Sequence, residues 1–164
     1  MKNLKFSIIL FLSIATIISC ENNNIDKEKP VIDLTIENAF PQNCDTLYFG
    51  KSFILKMHFS DNFELGSYSI DIHNNFTHHS HSTEIEECVR SIDKSSVNPY
   101  TAIDEFKIPA GKTEYITHLP ISIPLANASG NFDDGDYHFF VSLTDKSGWS
   151  AQKGLSVKIL HSVK

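Results

Sequence analysis

From Phe53 to Phe59 the chain alternates Phe53, Leu55, Met57 and Phe59 with Ile54, Lys56 and His58. Side chains two apart share one face of an extended strand, so this run describes a strand buried on one side. The same period recurs at Tyr68-Ile70-Ile72, Leu119-Ile121-Ile123, Tyr137-Phe139-Val141-Leu143 and Leu155-Val157-Ile159, and Val31-Ile32-Asp33-Leu34 opens the series. No segment sustains a helical period, although Glu84 to Ile92 could form a short turn of helix. Strands separated by Asn, Asp, Gly and Pro predict an all-β, antiparallel, two-sheet fold.

Residues 1–29 stand outside that pattern. Lys2 and Lys5 precede an apolar stretch from Phe6 to Ile18, too short and too poorly flanked for an ordinary transmembrane helix of about 20 residues. Residues 1–19 therefore read as a secretory signal. Ile17-Ile18-Ser19-Cys20 resembles the bacterial lipobox, which implies cleavage before Cys20, a lipid on its thiol and attachment to a membrane. Ordinary cleavage near Ser19, leaving Cys20 a free thiol, is the alternative. Residues 20–29 are polar and read as a flexible tether, and residues 30–164 have the size of one domain with one core. The acidic residues after Cys20 loosely resemble the export signal of surface lipoproteins in the Bacteroidetes. The expected address is that of an outer membrane lipoprotein, on the periplasmic face or the cell surface.

The formal charge is -6 and no Lys/Arg cluster exists outside the signal, which argues against nucleic acid as a partner. In an exported chain Cys44 and Cys88 could close a disulfide across a loop of more than forty residues. Two separate free thiols remain open as the other reading.

Asp133-Asp134-Gly135-Asp136-Tyr137, leading straight into a strand, resembles the tyrosine corner of immunoglobulin-like sandwiches, whose hydroxyl bonds back to the upstream backbone. Phe139 stands where an antibody domain carries its second core cysteine, so the likeness is to the broader Ig-like or fibronectin-like architecture. A calcium reading of Asp133, Asp134 and Asp136 competes, without the spacing or distal Glu of an EF-hand loop. Together with the lipobox, SYSIDIHNNFTHHSHS, LPISIP and GDYHFFVSLTDKSGW resemble a family of Bacteroidetes lipoproteins with a C-terminal Ig-like domain and no assigned activity. The resemblance implies an Ig-like antiparallel β-sandwich with an insertion, 77–110, after its strand C, and a final hairpin turning at Lys146-Ser147-Gly148. Asp45-Thr46-Leu47 resembles the O-glycosylation motif of these bacteria, while the sequons at Asn75 and Asn127 carry little weight in a bacterial envelope.

Half of the eight histidines fall between His73 and His81. With Ile70 and Ile72 inward, Asp71 and His73 face outward, and with Phe139 and Val141 inward, His138 does too. Strands C and F are neighbours in an Ig-like fold, so a register setting Ile72 against Phe139 sets His73 against His138. Imidazole nitrogen suits zinc and copper. The expected ligand set for a transition-metal ion, zinc or copper first, is His73, His78, His79, His81 and His138, with Glu84 adding a carboxylate. A second couple, His58 and His118, would form if Met57 met Leu119; ordinary polar surface is the plainer reading there. A His/Asn/Ser/Thr loop is also simply a solvated connection, and surface histidines capture metal weakly without a role.

No nucleophile elbow, phosphate-binding glycine loop or HExxH helix occurs, so no catalytic residue is assigned and an enzyme is not expected. The other readings are an interaction module docking to an outer-membrane protein, and glycan binding through Tyr68, Tyr100, Tyr115 and Trp149.

Overall fold

A computed structural model describes residues 25–79, 83, 84 and 87–162 of the chain. The fold is all-β: among the described residues there is no helix, and the described part of the stretch Glu84 to Ile92, which could have formed a helical turn, has none. The strands are β1 (Val31–Asp33), β2 (Thr46–Tyr48), β3 (Ser52–Leu55), β4 (His58–Ser60), β5 (Leu65–Asn74), β6 (Ala102–Lys107), β7 (Glu114–Ile116), β8 (Leu119–Ser122), β9 (Ala126–Asn127), β10 (Gly130–Asn131), β11 (Gly135–Asp145) and β12 (Ser150–Leu160). One sheet runs β2-β12-β11-β5-β6, a second β1-β4-β7, a third β3-β8, and β9 pairs with β10. All pairs are antiparallel except β2 with β12. That exception departs from the purely antiparallel expectation. It is possible because about a hundred residues separate the two strands, ample for the crossover that a parallel pair requires.

The longest alternating runs make the longest strands. In β11 the inward set Tyr137, Phe139, Val141 and Leu143 is fully buried, and in β12 Leu155, Val157 and Ile159 follow. These side chains join Leu55 of β3, Phe59 of β4 and Met57 between them in one apolar cluster. Phe53 meets Phe139 at 6.2 Å between ring centroids and Phe59 meets Tyr68 at 5.1 Å, so the five-stranded sheet and the smaller sheets share this core.

The run from Phe53 to Phe59 is two strands, not one. Thr117 is completely buried at the break: its hydroxyl accepts from the Met57 N–H at 2.9 Å and donates to the Leu55 carbonyl at 3.1 Å. A side-chain hydroxyl thus replaces a rung of the ladder and interrupts both β3–β4 and β7–β8. Leu119 consequently lies opposite Leu55, and His58 lies opposite Ile116 and Asp33, so the His58–His118 couple does not form.

The Tyr137 hydroxyl donates to the Asp133 carbonyl at 2.7 Å and accepts from the Tyr100 N–H at 3.2 Å. Burial pushes its phenol up to about 12, so it stays protonated. Tyr137→Phe should cost about 2 kcal/mol, since it leaves two backbone groups short of a partner without changing shape. Urea denaturation checks this, with an unchanged m-value marking an intact native state.

Candidate metal centre

β5 and β11 are antiparallel neighbours, with Ile70 opposite Val141, Ile72 opposite Phe139 and His73 opposite His138. Both histidines occupy the outward phase, away from the apolar core. His138 is nevertheless only 1% exposed, a departure from the open surface that alternation predicts. The chain leaving β5 covers it. Asn75 accepts from the His78 N–H at 3.2 Å in a tight turn, His78 takes a left-handed φ of 53°, and His79 is carried back over the strand pair. The His79 carbonyl then lies 3.1 Å from His138 Nε2.

Three imidazoles meet in consequence. Ring centroids are 5.4 Å apart for His73–His138, 5.4 Å for His79–His138 and 6.4 Å for His73–His79. One ring nitrogen of each lies within 4.8 Å of the others. Two zinc–nitrogen bonds at a tetrahedral angle span about 3.3 Å, so modest ring rotation closes the set around one ion. Hydrogen bonding orients two of the rings: His73 Nδ1 lies 2.9 Å from Asp71 Oδ1, and His138 Nε2 faces the His79 carbonyl. A carboxylate on one ring nitrogen places the proton there and the lone pair on the other, the usual support of a metal-binding histidine.

A family model for a domain of unknown function, DUF4625, matches residues 18–160. The chain belongs to this family. No curated protein matches it. The DUF4625 match takes in both strands of the histidine pair and the loop that covers them, and its description names no reaction.

In this DUF4625 chain the remaining expected ligands are placed differently. His78 points away from the cluster, with Nδ1 at 2.6 Å from Asp93 and Nε2 at 2.8 Å from Asp136. The hydrogen bond to Asp136 raises its pKa above the ordinary histidine value; burial opposes this and Asp93 reinforces it. Glu84 pairs with Lys153. His81 and Cys20 lie outside the described residues. Cys44 and Cys88 form a disulfide, with Cα atoms 5.2 Å apart.

In the sequence Asp136 belongs to the corner motif and to the rival calcium reading; in the structure it organises the insertion. Its oxygens accept from Lys158 Nζ at 2.7 Å, the Ser91 N–H at 2.6 Å, the Ser91 hydroxyl at 3.1 Å and His78. Burial works against its charge, but Lys158, the Ser91 N–H and His78 together hold its carboxyl below the ordinary range. Asp133 accepts from the Val97 and Asn98 N–H groups, and Asp134 binds His161. These three carboxylates face different partners, which argues against their sharing a calcium ion. His78, His79, Cys88, Arg90, His138 and Lys158 line a cleft of about 450 Å³ between the insertion and the sheet.

Proposed function

We propose that this protein binds a transition-metal ion, zinc or copper, at His73, His79 and His138, as a lipid-anchored module of the bacterial envelope with an Ig-like β-sandwich fold. The observation that carries the reading is the convergence of three ring nitrogens within 4.8 Å. Asp71 and the His79 carbonyl orient two of those rings, which supports a built site over chance proximity on a polar loop. Three imidazoles supply three of the roughly four positions that zinc fills. The reading assigns binding, with no reaction. Anchoring through Cys20 at the outer membrane rests on the lipobox resemblance, and the Ig-like topology on the tyrosine corner and the β5–β11 pairing.

Untagged protein equilibrated with zinc or copper and then desalted should retain one ion per chain by elemental analysis. Its melting temperature should rise with metal concentration. His73→Ala and His79→Ala, both at the less buried ligands, should each weaken binding at least tenfold. Retention should also fall below about pH 6, where imidazole protonates. No retained metal and no thermal shift would remove this reading. The docking alternative would then lead, on the outer edge of β6, where Ile103 is 71% exposed.

A further inference from the structure

Three aspartates from separate segments meet at the far end of β11. Asp26 precedes β1, Asp61 follows β4, and Asp145 is the last residue of β11; one carboxylate oxygen of each lies within 4.8 Å of the others. Seven strand residues, about 23 Å, separate Asp145 from His138, so this group is independent of the histidine site.

Asp145 continues the inward phase of Tyr137, Phe139, Val141 and Leu143 and is 5% exposed; Asp26 is 9% exposed. A register irregularity at Thr144/Asp145 lets Asp145 pair with Leu65. Gly66 permits it, because a Cβ there would stand 2.7 Å from the Thr144 carbonyl oxygen. Asp26 Oδ1 accepts from the Glu28 N–H at 3.0 Å, and Asp145 Oδ1 from the Trp149 N–H at 2.8 Å. The second oxygen of each, and both oxygens of Asp61, are shielded from solvent and have no hydrogen-bond partner in the protein. Among the described residues no Lys, Arg or His forms an ion pair with any of the three. Burying carboxylate oxygens unpaired is costly, and buried carboxylates are ordinarily paired or metal-bound.

We propose that Asp26, Asp61 and Asp145 form a calcium site that ties the segment before β1 to the end of β11. Two oxygens bound at about 2.4 Å on opposite sides of an ion stand about 4.8 Å apart, the limit these three meet. Magnesium prefers to keep several waters in a strict octahedron, a poor match to four oxygens already shut off from solvent. Nitrogen donors are absent from the trio, which turns zinc and copper away. Burial raises the Asp61 carboxyl above the ordinary range; the nearby Phe63 N–H, short of a hydrogen bond, opposes this, and the charges of Asp145 and Asp26 add to the rise. The Glu28 N–H holds Asp26 below that range against burial, with Asn62, Ser147 and Asp145 contributing.

The test uses untagged protein stripped with a chelator. Calcium chloride at about 10 mM, above the weak affinities of extracellular calcium modules, should raise the melting temperature by about 4 °C and leave zinc uptake unaltered. Terbium(III) serves as a located probe, because Trp149, the single tryptophan, donates its indole N–H to the Asp26 carbonyl at 3.2 Å. Terbium emission excited through that ring should be displaced by calcium and lost in Trp149→Phe, which keeps its thermal response to calcium. Asp61→Asn removes a ligand and a repelling charge. It should melt at or above the wild-type temperature in chelator and lose at least tenfold in calcium affinity, so failure to fold cannot imitate the expected result. A wild-type protein indifferent to calcium, terbium emission surviving Trp149→Phe, or undiminished calcium binding by Asp61→Asn would each overturn the site.

Discussion

The double variant Cys44→Ala/Cys88→Ala should unfold with about 4 kcal/mol less free energy than the parent chain. The bridge closes a loop with a sequence separation of 44, for which the chain-entropy relation gives about that value at 25 °C. The segment it fastens has little else of its own: from residue 87 to 101 no strand forms, so few backbone hydrogen bonds hold it internally. Its anchors are external and include Asp136 to Ser91, Asp133 to Val97 and Asn98, and the Asn98 amide to Gly130 and Asn131. The variant should therefore keep its core while the insertion loosens. Urea denaturation with and without reductant measures the loss, and hydrogen exchange locates it. A loss under about 1 kcal/mol would mean that the side-chain anchors alone order the insertion.

The parts of the fold legible in the sequence were those where burial alternates strictly. β5, β11 and β12 carry long runs of that kind; the pairing of the first two came from the Ig-like resemblance, and alternation then set His73 against His138, as the structure has them. β6 was not legible because it is an edge strand: only Ala102 and Phe106 pack on the core, while Ile103, Asp104 and Glu105 face water. β7 fails for the same reason, with one half-buried residue, Tyr115, between two exposed ones. The break at Thr117 escaped because a hydroxyl standing in for a backbone rung leaves no periodic trace. At the histidine site, spacing along the loop could not distinguish His78 from His79. The left-handed turn at His78 decides it, sending one imidazole to Asp93 and Asp136 and the next to the strand pair. The acidic trio had a signal that went unused: Asp145 falls in the inward phase of β11, where an unpaired carboxylate needs a reason.

Asp136→Ala should cost about 3 kcal/mol and, separately, weaken the proposed zinc binding. The carboxylate is 13% exposed and serves Lys158, Ser91 and His78 at once; stripping one partner from buried charged contacts costs about 3–5 kcal/mol, reduced here because Lys158 is 29% exposed. The sign with pH follows from both groups. The carboxyl of Asp136 is held low, so its contribution is complete above the unfolded value near 4 and is lost as pH falls through the lower folded one. His78 is held high, so its contribution is complete below about 6.5 and is lost as pH rises through the raised folded value. The difference between parent and variant should be largest between about pH 4 and 6.5 in metal-free buffer, and denaturation across that range tests it. A difference flat to pH 9 would mean that His78 contributes nothing. Because His79 follows His78 directly, releasing that turn should displace the covering imidazole and lower zinc affinity at least tenfold while His73 and His138 stay paired. Combining Asp136→Ala with loss of the disulfide should cost about 1 kcal/mol less than the two separate losses added together. Both devices fasten the same insertion to the sheet, and once one has let go, the Ser91 and His78 contacts of the other have less order left to protect.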